Sequence, residues 1–386
     1  MRLAIVASHP VQYYAPLFRC LAARLNLTVF YAHRATPIDH AGAGFGVAFD
    51  WDIDLLSGYR YYFLENVAES PGLDHFAGVD TPEIAKRLHS GRFDAVLLMG
   101  WHLKAFHQAL WASKWLRIPV LVRGDSQLNT PRAAWKRWAK TITYPSFLRC
   151  FDAALVVGKR NRDYWLHYGY PSARIFSSCH CVDNNWFSAR ASQSSRVSLR
   201  TRLGIARDTK VVLFAGKLVP FKRPLDLVAA AARVRSEGMA VEILVAGTGV
   251  LQADMQRLAS DLSIPLHMLG FRNQTEMPAA YAAADLLALP SDGHETWGLV
   301  VNEALACHRP VVISDAIGCA PDMVEYIGDR AIFRMGDICA FTTSLRDVIL
   351  NPLSRRKLAE IAEEFSLDSA CMGIDRALRA ACAKRS

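Results

Sequence analysis

No run of about 18 consecutive apolar residues occurs in the chain, so no membrane-spanning helix is expected. The amino terminus, MRLAIVASHPVQ, leads straight into a strand pattern without the long apolar core of a secretory leader, which predicts a cytoplasmic protein. Cysteine lacks paired spacing. The nine residues Cys20, Cys150, Cys179, Cys181, Cys307, Cys319, Cys339, Cys371 and Cys382 are odd in number and scattered, as suits reduced thiols. Cys179-His180-Cys181 has no second CxxC or HxxxH beside it, so a buried strand-to-loop pair is expected there and no structural metal. Acids are the scarcer charge, 36 against 45 Lys and Arg, for a net charge of +9. That balance implies an anionic partner, whether nucleic acid, acidic lipid or phosphorylated substrate.

What is present is enough for two cores: 386 residues, 52% of them apolar. Short apolar runs that read as buried strands (Leu3–Ala7, Leu27–Ala32, Ala95–Met99, Val120–Arg123, Ala153–Val157, then Val211–Ala215, Glu242–Ala246 and Leu286–Leu289) alternate with helical patterns. The alternation predicts an α/β protein with two Rossmann-like, doubly wound parallel sheets facing one another across a cleft. The polar run Ser188–Arg200, with five serines, reads as a linker. It divides the chain into a first domain over 1–189 and a second over 190–365, with a last helix over 366–386.

The stretch Pro290–Ser314 is richest in chemistry. It reads as a strand end, a polar loop, a helix beginning at Leu299 and a second strand. Free N–H groups and the positive dipole end at Gly298 and Leu299 favour phosphate. Glu295 and Glu303 lie eight positions apart, a rise of roughly 12 Å if the span were helical. One carboxylate can accept from the ribose and the other from the sugar of a nucleotide-sugar, with the diphosphate between them. A solvated helix face would explain either glutamate alone; the strand-to-helix setting favours the ligand.

Other candidates follow from position. Gly216 ends a strand, and Lys217 and Lys222 occupy the next loop, where they can neutralise a departing diphosphate without metal or form an ordinary solvated turn. Gly247 and Gly249 follow the next strand. In the first half, His9, Gln12 and Tyr13 come after a strand whose loop has no glycine and can contact a sugar acceptor. His102 either meets a ligand or caps the helix that runs to Trp115. Arg123 and Asp125 either pair with each other or line the cleft. Phe271 and Arg272 stand at another strand end, either packed or facing a base.

Pro37–Gly58 is irregular, with glycines at 42, 44 and 46 and the acid-aromatic run Asp50–Asp54. It reads as a mobile surface loop over the acceptor site rather than a phosphate loop. Arg132–Arg162 holds eight basic residues. Arg132, Lys136 and Lys140 share a helical face with Trp135 and Trp138 interleaved, the pattern of a helix on an anionic membrane surface or of a merely solvated basic face.

Glu295-Thr296-Trp297-Gly298-Leu299-Val300-Val301-Asn302-Glu303, followed by Ala304-Leu305-Ala306-Cys307 and Pro310-Val311-Val312, resembles the E-x7-E signature of family 4 of the retaining GT-B glycosyltransferases. With HPVQYY, WDIDLL, GWH, RGDS and VDNNWF, the resemblance extends over nearly the whole chain and to a polysaccharide-building branch. It implies the GT-B fold, retention of anomeric configuration, a histidine such as His102 by the reaction centre and a G-x-G such as Gly247 and Gly249 near the donor. It also implies backbone near Phe271 and Arg272 against the nucleotide base, and a last helix crossing back to the first domain. Family members carry arginine where this chain has Lys217, which keeps the charge without the planar fork.

The expected activity is metal-independent transfer of a hexosyl group from a nucleoside-diphosphate sugar to a hydroxyl of a glycan or lipid-linked acceptor. Glu295, Lys222, Lys217 and His102 are the expected catalytic residues. No cofactor and no nucleic acid are expected, and peripheral contact with anionic membrane runs through Arg132–Arg162. Two other readings compete: a nucleotide-sugar epimerase or hydrolase on the same architecture, and a non-catalytic glycan- or nucleic-acid-binding protein using the basic half.

Overall fold

The computed structural model describes residues 1–41 and 47–383; the glycine-bearing segment 42–46, read above as part of a surface loop, lies outside the described residues. Seven strands form the first sheet: β1 (Arg2–Ala7), β2 (Asn26–Tyr31), β3 (Arg60–Phe63), β4 (Ala95–Leu98), β5 (Val120–Gly124), β6 (Ala153–Val156) and β7 (Ile175–Ser177). All are parallel, in the order β3-β2-β1-β4-β5-β6-β7. Strand β1 shows why these strands read as unbroken apolar runs. Ala4 and Val6 pack into one layer with Phe30, Val96 and Phe106, while Leu3 and Ile5 pack into the opposite layer with Phe18, Ile374 and Leu378. Both faces are covered, so alternation is lost. Edge strand β3 carries no such run because Tyr61 and Tyr62 remain exposed.

The second sheet holds β8 (Lys210–Ala215), β9 (Val241–Ala246), β10 (Leu266–Gly270), β11 (Leu286–Leu289), β12 (Val311–Ser314) and β13 (Ile332–Phe333). It too is parallel, in the order β10-β9-β8-β11-β12-β13. Each sheet reverses direction of growth beside its first strand, between β1 and β4 and between β8 and β11. At such a switch point the connections diverge and leave a crevice at the carboxyl ends of the strands, where ligands bind.

The join departs from the sequence expectation. Ser188–Arg200 is not an extended linker; it falls mostly in the helices Asn184–Arg190 and Gln193–Arg202. Ser192 accepts the Ser195 N–H at 3.1 Å, so a serine that read as linker composition caps a helix. Arg196 and Arg200 grip the second domain, donating to the Asp285 carboxylate at 2.7 and 2.6 Å and to the carbonyls of Ala282, Ala283 and Ala284. The last helix, Leu367–Ala383, lies in the core of the first sheet through Ala370, Ile374, Ala377 and Leu378. Its Gly373 passes so near that a Cβ would stand 1.7 Å from the Ser177 carbonyl oxygen.

A polar seam closes the two domains beside the cleft. The Lys159 N–H donates to both Asp322 carboxylate oxygens at 3.0 and 3.1 Å, and Arg160 donates to the carbonyls of Asp315, Ala316 and Ile317. Lys159 and Arg160, expected on the membrane-facing surface, are thereby taken into the seam. Among the described residues no helix is long and apolar enough to cross a membrane.

Candidate functional site

A cavity of about 360 Å³ opens at the switch point of the second sheet, lined by Gly216, Lys217, Phe221, Lys222, Gly247, Thr248, Phe271, Arg272, Glu295 and Glu303 among others. The floor is built from glycines. Gly216 and Gly247 both have positive φ, 143° and 153°, and a Cβ on Gly247 would lie 1.9 Å from the Gly216 carbonyl oxygen. Only glycine lets these two strand ends approach so closely. Gly249 serves the same packing, its Cβ position 2.4 Å from the Leu218 carbonyl oxygen, and does not itself line the cavity.

The charged groups face one another here. Lys222, at the end of the turn Pro220–Lys222, forms a short, largely buried ion pair with the Glu295 carboxylate. Glu295 is fixed through its backbone: its carbonyl accepts from the Gly318 N–H at 2.9 Å and from Gln127 Nε2 at 3.3 Å, and its N–H donates to the Asp292 carbonyl at 3.1 Å. Burial, and next the neighbouring Lys222 charge, lower the Lys217 pKa. Two ammonium groups share one wall, which suits an anion bearing more than one charge.

Glu303 is buried in the helix Leu299–Ala306. Its Oε1 accepts from Tyr13 Oη at 2.8 Å and its Oε2 from Tyr281 Oη at 2.6 Å. Burial pushes its carboxyl up to about 7, against the lowering effect of the two hydroxyls. Each carboxylate oxygen keeps a further lone pair for a ligand hydroxyl. Gly298 begins the helix in the left-handed region at φ 96°, where Leu289 Cδ2 at 2.8 Å from a Cβ position also requires glycine. Gly298 and Leu299 stand behind the cavity wall, which at this point is made by Val300 and Glu303.

A second cavity, of about 310 Å³, lies at the switch point of the first sheet and is lined by Ser8, His9, Trp101, His102, Arg123 and Asp125 among others. The two cavities share no lining residue. His102 is therefore grouped with His9 rather than with Glu295 and Lys222, and burial lowers its pKa. Gln12 and Tyr13, expected with His9 on the acceptor side, line the first cavity instead. The helix Tyr14–Ala22 begins there and turns them toward the second domain.

Arg123 and Asp125 bond elsewhere than to each other. The Arg123 guanidinium donates to the carbonyls of Ser178 and Cys179 at 3.2 and 2.9 Å and so ties β5 to the end of β7. Asp125 accepts from Thr296 Oγ1 at 2.8 Å, across the cleft. Phe271 lies against Phe49 with ring centroids 4.4 Å apart, and Arg272 donates to the Leu269 carbonyl at 2.7 Å. His180, between the two cysteines weighed as metal ligands, packs 5.7 Å from the Trp297 ring.

Sequence reasoning missed Tyr281 and Trp51. Tyr281 is a single phenol in an otherwise alanine-rich helix, Met277–Ala283, and Trp51 belongs to the acid-aromatic run assigned above to the acceptor side. The structure carries that run, Asp50–Asp54, to the other domain. The Asp50 carbonyl accepts from Asn273 Nδ2 at 2.7 Å, Asp52 accepts from the Thr275 N–H and hydroxyl, and Trp51 lines the first cavity.

Two parallel sheets of this order, each with its crevice at the switch point, constitute the GT-B fold of glycosyltransferases. Anabaena HepE, solved in complex with UDP, superposes with a TM-score of 0.72 at 18% identity, over 98% of this chain and 99% of that one. Sucrose-phosphate synthase from Thermosynechococcus elongatus does so at 0.67 and 16%, over 100% of each. Residues 196–365 match the family model of Glycosyl transferases group 1. The GDP-mannose-dependent alpha-(1-6)-phosphatidylinositol monomannoside mannosyltransferase of Mycolicibacterium smegmatis is 28% identical over 226 residues, 56% of this chain and 58% of that protein. The D-inositol 3-phosphate glycosyltransferase of the same species is 35% identical over 181 residues, 45% of this chain and 40% of that protein. The chain thus spans about half the length of the curated relatives it matches.

Proposed function

We propose that this protein is a retaining glycosyltransferase that moves a sugar from a nucleoside-diphosphate sugar to a hydroxyl of a glycan or lipid-linked saccharide. The observation that carries the reading is the meeting of Lys217, Lys222, Glu295 and Glu303 in one cavity at the switch point of the second sheet. The match of residues 196–365 to group 1 glycosyl transferases supports it, as does a relative named for GDP-mannose-dependent transfer.

The donor diphosphate lies against Lys217 and Lys222, near the amino end of the helix Leu299–Ala306. As the bond between the anomeric carbon and the phosphate oxygen breaks, the two ammonium groups neutralise the leaving diphosphate, and no metal is needed. Contact with phosphate draws Lys222 from Glu295, whose carboxylate then accepts from the donor sugar. Glu303, held by Tyr13 and Tyr281, accepts from the ribose. The acceptor enters from the His9 and His102 side of the cleft; its hydroxyl oxygen bonds to the anomeric carbon on the face the diphosphate leaves, and its proton passes to the departing phosphate oxygen.

A lipid-linked acceptor would lie at the cytoplasmic face of a membrane, and the helix Ala134–Leu148 is suited to rest there. Trp135, Trp138 and Ile142, on one helical face, are 67%, 70% and 58% exposed. Arg132, Lys136, Arg137 and Arg149 surround them with no acid between Asp125 and Asp152, as on an interfacial helix. Lys140 is withdrawn from that face, with Nζ 4.7 Å from the Tyr144 ring centroid and 3.2 Å from Tyr164 Oη.

The test is a thermal-shift screen against UDP-, GDP- and dTDP-sugars, since a ligand bound only by the folded chain raises its apparent stability. One donor class should stabilise the protein, and the shift should vanish in K217A/K222A. Nucleotide release with no acceptor present would instead mark an epimerase or hydrolase, and the anomer of the transferred sugar, read by NMR, decides retention.

A further inference from the structure

We propose that the segment Phe49–Asp54 of the first domain is a strap across the donor cavity, and that Trp51 and Phe271 form its aromatic wall for the planar base of a nucleoside diphosphate. The inference rests on the donor reading above and adds a binding element from the opposite domain.

The strap is tied at both ends. On its own domain, Asp54 Oδ1 accepts from the N–H groups of Leu56 and Ser57 at 2.9 and 3.0 Å, and Arg19 donates to the carbonyls of Asp54 and Ser57. On the far domain, Asn273 and Thr275 hold Asp50 and Asp52. Asn273 and Thr275 directly follow Phe271 and Arg272, so the anchors and the aromatic wall belong to one loop after β10. Phe49 packs on Phe271 at 4.4 Å and edge-on to Trp51 at 4.9 Å, which positions the indole at the cavity that also contains Gln274 and Met277.

A flat, apolar wall with few charges suits a heteroaromatic base, whose faces stack on aromatic side chains whatever its edge pattern. Lys217 and Lys222 belong to the loop after β8, apart from the loop after β10 that carries Phe271, and serve the phosphates. The bonds that hold the strap are few and solvent-exposed, so it opens at small cost.

The experiment is isothermal titration of UDP, GDP and dTDP into the full chain and into W51A, W51F and D52A, with thermal midpoints recorded for each protein. For whichever nucleotide the unmodified chain binds, W51A weakens affinity about tenfold, the equivalent of one base–aromatic contact, and W51F restores most of it. D52A, which alters no residue lining the donor cavity, also weakens binding because the strap loses its bonds to Thr275, one of its two polar anchors on the far domain. Equal affinities in all four proteins overturn the strap and leave the transferase reading standing. Absence of binding of all three nucleotides to the unmodified chain overturns both.

Discussion

The carboxyl of Glu303 offers a prediction whose sign is opposite for stability and for function. It is buried, and burial lifts it from 4.5 to about 7. Between those values the folded chain binds a proton that the unfolded chain has lost, so the contribution of this group to stability is greatest in acid and is lost as pH rises through the folded value. At about 1.4 kcal/mol for each tenfold change in proton affinity, ionising this group costs the folded state about 3 kcal/mol above pH 7. Glu303→Gln abolishes the ionisation but leaves one of the two tyrosine hydroxyls to re-pair, a loss of about 1 kcal/mol. The variant should therefore be less stable than the parent by about 1 kcal/mol at pH 4.5 and more stable by about 2 kcal/mol at pH 8.

At roughly 2–4 °C per kcal/mol for a domain of this size, the difference in melting temperature between the two proteins should change sign and swing by about 6–12 °C. Differential scanning calorimetry of both proteins at several pH values reads it, and groups common to the two cancel. A difference that stays constant from pH 4.5 to pH 8 would refute the assignment of Glu303 as a buried, strained carboxylate. Nucleotide affinity should fall in the same variant at pH 8, where it is the more stable protein; a gain in both would show that Glu303 does not touch the ligand.

On the proposed donor reading, Lys222→Ala removes one of two charges on the leaving diphosphate and takes from Glu295 its ion-pair partner; kcat/KM for the identified donor should drop by about 10²–10³, read by nucleotide release, and Lys222→Arg should recover part of it. Gly247→Ala forces a side chain to within 1.9 Å of the Gly216 carbonyl oxygen at φ 153°, so it should destabilise the second domain by about 2–3 kcal/mol in urea melts and abolish donor binding. Flotation with vesicles containing anionic lipid should recover the protein at low salt, less at high salt, and hardly at all for W135A/W138A or K136E/R137E; equal flotation of both variants would remove the helix Ala134–Leu148 from the interface. Asp285→Ala leaves Arg196 and Arg200 without their shared carboxylate and should cost about 3–5 kcal/mol, measured by denaturant midpoint.

Strands were legible because they are buried on both faces: the runs at β1, β4, β8 and β11 need no partner to be recognised. Gly298 was legible too, since a glycine ahead of an apolar helix after a polar loop has few other uses. Contacts fixed by the way the two sheets face each other were not legible. Tyr13 meets Glu303 across 290 positions, and nothing in the local sequence of either distinguishes that partner from any other. Composition misled where one residue type serves two purposes. The serines of Ser188–Arg200 are as common in linkers as at helix starts, and the basic residues Lys159 and Arg160 bind carbonyls and a carboxylate at the seam rather than lipid.

The same facing arrangement explains why the contact of the acid-aromatic run Asp50–Asp54 with the second domain is not legible in its sequence. As a loop after β2 it belongs by connectivity to the first domain, and its charge alone would leave it in solvent. The complementary donors Asn273 and Thr275, after β10, and the packing of Phe49 on Phe271 carry it across the cleft. The seam between the domains joins polar contacts, from the Asp322 carboxylate on the Lys159 N–H to Thr296 on Asp125, with apolar ones, Val157 and Val182 against the second core and Phe49 on Phe271. The polar contacts are exchanged for water at little cost, whereas the apolar ones keep the two domains in register. A donor that bridges Lys222 on one side and Trp51 on the other would then tighten the seam from within. The cleft that the fold creates is in this way completed by what binds in it.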